Sequence, residues 1–178
     1  KVLTPLGLFF SPETSTSNRC MIGGMVGNNS CGAHSIIYGS TRDHLISVKT
    51  ILSDTTIVEF GPISSVAFNS KCKLKTLEGE IYRNISESLN NSENQKEIRE
   101  QYPHPEIKRR NTGYAIDLLL ETEPFTSNTV PFNFAKLIAG SEGTLAFITE
   151  IKLHLDPLPP PVKGLICVHC ATLEDALF

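Results

Sequence analysis

The residues with the most chemical content lie at 18–32, Asn-Arg-Cys-Met-Ile-Gly-Gly-Met-Val-Gly-Asn-Asn-Ser-Cys-Gly. Gly23, Gly24, Gly27 and Gly32 leave the main chain uncovered, so another backbone or a ligand can approach it closely. Asn28, Asn29 and Ser30 add side-chain donors and acceptors beside that bare stretch. The combination suits contact with a large polar ligand, and equally a glycine-rich turn packed tightly on a neighbouring element. A second stretch, Gly140-Ser-Glu-Gly-Thr144, opens as a tight turn and runs into a strand. Strict alternation there puts Leu145, Phe147, Ile151, Leu153 and Leu155 on one face and Glu150, Lys152 and His154 on the other.

Other reactive side chains are harder to assign from spacing. Lys108-Arg-Arg110 precedes Asn111-Thr-Gly-Tyr114; Arg110 is the candidate for holding a carboxylate or an anionic ring, against the reading that all three cations lie on a solvated surface. His34 and His44 flank the glycine stretch and Tyr38-Gly39, without a carboxylate partner visible in sequence, and His104, His154 and His169 read as structural. No general base is assigned. Five cysteines at scattered spacings are poor material for a disulfide framework and fit a reducing compartment. Cys167-Val-His-Cys170 would sit on opposite faces of an apolar strand with no second ligand pair nearby, so no metal site is expected.

The elements that must position these groups follow from periodicity. Residues 1–17 read as an extended arm, and 19–29 as a short helix whose first amides face an anion. Leu45 to Leu52 and Thr56 to Phe60 read as a hairpin around Ser53-Asp54-Thr55. Leu74, Leu77, Ile81, Ile85 and Leu89 keep a helical spacing across 73–102, interrupted at Asn90-Asn-Ser-Glu93. Ile116 to Leu120 continues as helix or strand, and Phe134 to Ile138 is a short helix delivering the chain to Gly140. Asp156-Pro-Leu-Pro-Pro-Pro161 is an extended linker, followed by a strand over Leu165 to Cys170 and an incipient helix capped by Thr172.

The chain has 178 residues, 40% hydrophobic and 20% charged, with a net charge of −3, which suits an ordinary core and points to neither nucleic acid nor an anionic membrane. No apolar run approaches the roughly 20 residues of a spanning helix. Lys1 at the start and a helix just beginning at the end read as a piece of a longer polypeptide.

Taken in order, Ile22-Gly-Gly, Asn29-Ser-Cys-Gly32, Tyr38-Gly39, Asn111-Thr-Gly-Tyr114 and Gly140-Ser-Glu-Gly-Thr144 resemble the FAD-binding domain of the vanillyl-alcohol oxidase and p-cresol methylhydroxylase flavoproteins. Within that family the likeness is to D-lactate, glycolate and D-2-hydroxyglutarate dehydrogenases, and it runs over nearly the whole chain.

The resemblance implies an α+β fold, an antiparallel sheet packed with helices, the second FAD-binding subdomain of this flavoprotein fold. Residues 1–155 would form that subdomain without its upstream phosphate loop, 156–163 a proline-rich linker, and 164–178 the start of a substrate-cap domain. Pro12, Thr16, Ser17 and Cys20 would line the dinucleotide, Gly23 and Gly24 would meet it through backbone amides, and Asn28 or Asn29 would bond the flavin side, with Gly32 in the same loop. Glu142, Gly143 and Ile148 would close the adenosine end or the wall facing the ring. FAD is expected to be non-covalent, and an iron–sulfur cluster is implied only for a later region. The implied reaction is oxidation of a small D-2-hydroxy acid to the 2-oxo acid, with the proton-abstracting residue supplied by the cap and the electron acceptor undefined. The expected location is the cytoplasm, with peripheral attachment to the inner membrane as a variant. Rival readings are a flavin oxidase of another alcohol and a non-catalytic interaction module whose flavin site has decayed. A dinucleotide fold of the Rossmann type fails on glycine spacing.

Overall fold

The computed structural model describes every residue except Lys1, Pro105, Lys108, Asn111, Thr112, Lys163 and Phe178. The chain divides into two compact units, Phe10–Leu155 and a second made of residues 1–9 with 156–178. The sequence groups residues 1–9 with the long subdomain. In the structure they instead join 156–178, because Leu8–Phe9 pairs antiparallel with Asp156–Pro157 and the Leu158 amide donates to the Gly7 carbonyl at 2.9 Å.

The larger unit is built on a three-stranded antiparallel sheet. Strand β1 (Leu45–Ile51) lies in the centre, with β2 (Ile57–Phe60) on one side and β3 (Phe147–Leu153) on the other. The β1–β2 hairpin turns where the sequence places it. Thr55 adopts the left-handed conformation at φ 69°, and the Asp54 carboxylate accepts from the Thr56 amide at 2.9 Å. That bond holds the Asp54 carboxyl below its ordinary range.

Strand β3 departs from strict alternation. Lys49 stands opposite Glu150 but Thr50 stands opposite Ile148, so Thr149 is the extra residue of a bulge. The bulge reverses the strand's phase: Ala146 and Ile148 before it and Ile151 and Leu153 after it pack on the core, leaving Phe147 70% exposed. Period-two counting puts Phe147 and Ile151 on one face and misses this reversal.

Short helices α1 (Ile22–Asn28), α2 (Ser35–Tyr38) and α3 (Thr41–His44) lead into β1. Helices α4 (Ser65–Cys72), α5 (Leu77–Asn90) and α6 (Ser92–Gln101) follow the hairpin. The break between the last two has a chemical cause. The Asn91 side chain accepts from the Glu93 and Asn94 amides and so begins a new helix. The apolar stripe of α5 packs inward through Leu77, Ile81, Tyr82, Ile85 and Leu89, while Leu74 precedes the helix. Two small helices, α7 (Ile116–Leu120) and α8 (Ala135–Ile138), complete the unit.

Phe68, Tyr82, Phe125, Phe132 and Phe134 form an edge-to-face aromatic cluster, with Phe132 4.7 Å from both Phe68 and Phe134. Each such pair adds about 1 kcal/mol beyond the area it buries. Burial pushes the Tyr82 phenol far above its ordinary range.

In the smaller unit the strand expected over Leu165 to Cys170 is not formed, and Leu165 and Ile166 are 90% and 87% exposed. A strand needs a neighbour to take its backbone hydrogen bonds, and none stands beside this segment among the described residues. A helix over Leu173–Leu177 does form.

Candidate functional site

The two glycine-bearing turns, more than a hundred residues apart, are joined by backbone hydrogen bonds. The Gly140 amide donates to the Val26 carbonyl and the Glu142 amide to the Gly27 carbonyl, both at 2.9 Å. The Asn28 side chain donates to the Glu142 carboxylate at 2.9 Å. The last carbonyls of α1 have no following turn of helix to bond, so the incoming turn supplies a donor to Gly27 and a second one to Val26, which also accepts from the Asn29 amide at 3.1 Å. Gly140 has φ 89°, and a Cβ there would come within 2.7 Å of the Arg42 guanidinium; glycine is required on both counts. From the Asn111-Thr-Gly-Tyr114 motif, Tyr114 also reaches this region. Its Tyr114 hydroxyl shares a 2.7 Å hydrogen bond with Thr144, whereas Asn111 and Thr112 lie outside the described residues.

The expected contact residues divide by what they already touch. Gly23, Gly24, Asn28, Glu142 and Gly143 are exposed. Nothing lies within 4 Å of the place a Cβ would occupy at Gly23, Gly24 or Gly143. Met21, next to them, is 80% exposed, and α1 begins without a side-chain cap. Ser17 is exposed, and Thr16 and Cys20 are half-buried, the latter with its sulfur 3.6 Å from the Met25 sulfur over α1.

Four of the expected residues are engaged inside the protein. Pro12 is buried. Asn29 is fully buried in the left-handed conformation; its side-chain oxygen accepts from the Arg42 amide at 2.8 Å and its nitrogen donates to the Arg110 carbonyl. With both ends of its amide bonded inside the protein, Asn29 holds the turn in place, and of the pair Asn28 or Asn29 expected on the flavin side it is Asn28 that is exposed. Gly32 is required by packing, since a Cβ would fall 1.4 Å from the Glu13 carbonyl oxygen. Ile148 packs on the core from β3.

Several groups in this region carry no signal in the spacing of the sequence. His34 does have a carboxylate partner, Glu13 at 2.8 Å, brought there by the arm that crosses Gly32. Arg42 is 3% exposed, donates to the Ala139 carbonyl at 2.6 Å, and has its Nε buried without a hydrogen-bond partner. Burial and the neighbouring Arg110 charge lower its pKa. Lys136 donates to the Arg42 and Leu45 carbonyls at 2.8 and 2.9 Å, and burial lowers its pKa as well. One signal was available. Ser40-Thr-Arg-Asp43 is a capping box, with the Asp43 carboxylate accepting from both the Ser40 amide and hydroxyl.

A dinucleotide of the FAD type needs an uncovered backbone face with polar side chains at its edge. The open sites at Gly23, Gly24 and Gly143, bordered by Asn28 and Glu142, meet that requirement. No helix among the described residues is long and apolar enough to cross a membrane.

The sequence pattern of the FAD binding domain matches residues 1–61. The chain is 35% identical over 175 residues to a D-2-hydroxyglutarate dehydrogenase of Pantoea ananatis and 33% identical to one of Escherichia coli, alignments covering 98% of this chain and 16% of each relative. It is 36% identical over 163 residues to the glycolate oxidase subunit GlcD of Bacillus subtilis, covering 92% of this chain and 22% of that protein. The chain thus spans about a sixth of the length of the dehydrogenases it matches. It belongs to the FAD-binding domain family of the vanillyl-alcohol oxidase and p-cresol methylhydroxylase type, and is similar over nearly its whole length to one part of these relatives.

Proposed function

We propose that this chain supplies part of the FAD site of a flavoprotein that oxidises a D-2-hydroxy acid to the 2-oxo acid. One observation supports the reading above the others: two distant bare turns are hydrogen-bonded together, and Gly23, Gly24 and Gly143 face open space beside them. Bound FAD would supply the hydride acceptor, and the protein would supply position and exclusion of water. The backbone amides of Gly23 and Gly24 would approach the dinucleotide, with Asn28, Glu142 and Gly143 at its edge. Thr16, Ser17 and Cys20 would line it. Asn29, Gly32 and Ile148 would hold the turns in shape without touching it. The binding is non-covalent in this reading, and no proton-transfer group is assigned within the chain.

The names of the relatives support a 2-hydroxy acid as substrate. The test is anaerobic reduction in the full-length protein that carries this chain. Bleaching of the flavin absorbance by D-2-hydroxyglutarate or D-lactate, with no response to an aryl alcohol, is expected. Failure of the full-length protein to take up FAD removes the cofactor assignment; uptake with no bleaching by any 2-hydroxy acid removes the substrate assignment and favours a non-catalytic module.

A further inference from the structure

A cleft of about 1150 Å3 opens in the larger unit, and its Arg42 also packs beneath the Gly140 turn. It lies between α2, the end of α6 with Tyr102, His104, Ile107 and Arg110 beyond it, and α7, and none of the twelve residues expected at the dinucleotide lines it. Its walls are apolar at Ile36, Ile37 and Leu118, exposed by 77%, 75% and 40%. Its deeper part is charged, and the accounting of those charges is uneven.

Four carboxylates line the cleft, and each has its own partner. Asp43 is the capping-box acceptor for Ser40. Asp117 forms a two-pronged pair with Arg110, whose guanidinium also stands 5.6 Å from the Tyr102 ring centroid. Glu121 pairs with Arg99 at 3.7 Å, and Glu100 with Lys96 at 3.8 Å. Arg42 is the remaining guanidinium on the lining. It is nearly fully buried, bonded to one neutral carbonyl and unpartnered at Nε; Arg110 repels it, while Asp117 and Asp43 attract it from a distance, each bonded to another group. Burying a cation whose nearby carboxylates are bonded elsewhere, with an Nε left unpartnered, is costly, and an anion delivered from outside would offset that cost. Bidentate geometry makes a carboxylate or phosphate the natural match for a guanidinium.

We infer that this cleft is a binding site for a small organic carboxylate, its anionic end directed to the Arg42–Arg110 pair and its carbon skeleton against the isoleucines of α2. The apolar walls favour an organic acid over a bare inorganic oxyanion. The site does not depend on flavin, so it stands or falls separately from the proposed function.

The test titrates the 178-residue chain, without FAD and again with FAD present, using succinate, inorganic phosphate and the uncharged succinamide. Binding is read by calorimetry and by methyl NMR shifts at Ile98 and Leu118. Succinate is expected to bind in both states and to shift these methyls, with succinamide at least tenfold weaker. Ile37→Asp, on an exposed position of the rim, sets a like charge at the mouth and is expected to weaken succinate at least tenfold, while Ile37→Asn stays within threefold of the parent. Both variants keep the core intact, so the comparison does not hang on the fate of an Arg42 substitution. Absence of succinate binding, equal binding of succinamide, or equal weakening by the Asp and Asn variants overturns the assignment. Phosphate binding as tightly as succinate overturns its organic part.

Discussion

Gly23 and Gly24 carry opposite expectations for stability and for ligand binding. Both lie within α1, where alanine is a better helix former by about 0.5–1 kcal/mol, and neither has a neighbour that a Cβ would strike. Gly23→Ala and Gly24→Ala are therefore expected to raise the thermal midpoint of the chain. If their bare backbone receives FAD, the same changes lower FAD affinity at least tenfold, about 1.4 kcal/mol, in a fluorescence titration. A stable variant with unchanged FAD affinity would show these glycines to be incidental. Gly32 behaves differently, since a Cβ there overlaps the Glu13 carbonyl and must displace the arm. All three look alike in sequence, because a glycine does not announce whether its missing side chain makes room for protein or for a ligand.

At the scale of the element, the hairpin and β3 hold most of what is testable. Thr55 is a β-branched residue at φ 69°, a conformation that costs roughly 1–2 kcal/mol without glycine. Thr55→Gly is expected to recover about 1 kcal/mol of that in urea unfolding, part of it offset by the looser unfolded chain. Beside it, Asp54 has its carboxyl held below the ordinary value of 3.8 by the Thr56 amide. A depressed acid stabilises the folded state fully above its unfolded pKa and loses that contribution as pH falls through the folded one. Asp54→Asn should accordingly flatten the fall in urea midpoint below pH 3.8 and leave the slope above it unchanged.

In β3 the bulge makes Phe147 a surface residue and Ile151 an inward one, although the two stand four apart on a supposedly shared face. Phe147→Ser is expected within about 0.5 kcal/mol of the parent, and Ile151→Ala to cost about 2 kcal/mol or more in the same assay. Equal costs would contradict the bulge.

For the molecule as a whole, the division into Phe10–Leu155 and a smaller unit of both termini has a direct consequence. Among the described residues, the larger unit holds the aromatic cluster and all of the buried apolar core. A fragment of residues 10–155 is expected to fold alone and to unfold in a single cooperative transition, with fluorescence and far-ultraviolet circular dichroism superimposing. Separate transitions by the two probes would mean that the termini complete the core.

Reading the chain in one dimension sufficed for whatever depends on neighbours a few residues away. Turn-forming Ser53-Asp-Thr55, the helical stripe of α5, the interruption within Asn90-Asn-Ser-Glu93 and the two glycine turns all follow from local spacing, and the ordered motifs carried the family likeness. Convergence of the turns, the bulge at Thr149, the closed amide network of Asn29, the burial of Arg42 and the pairing of His34 with Glu13 came only with the folded coordinates. Each of these joins segments far apart along the chain or selects one of two faces. Period and propensity are local quantities, whereas which backbone meets which is set by the packing of the entire unit.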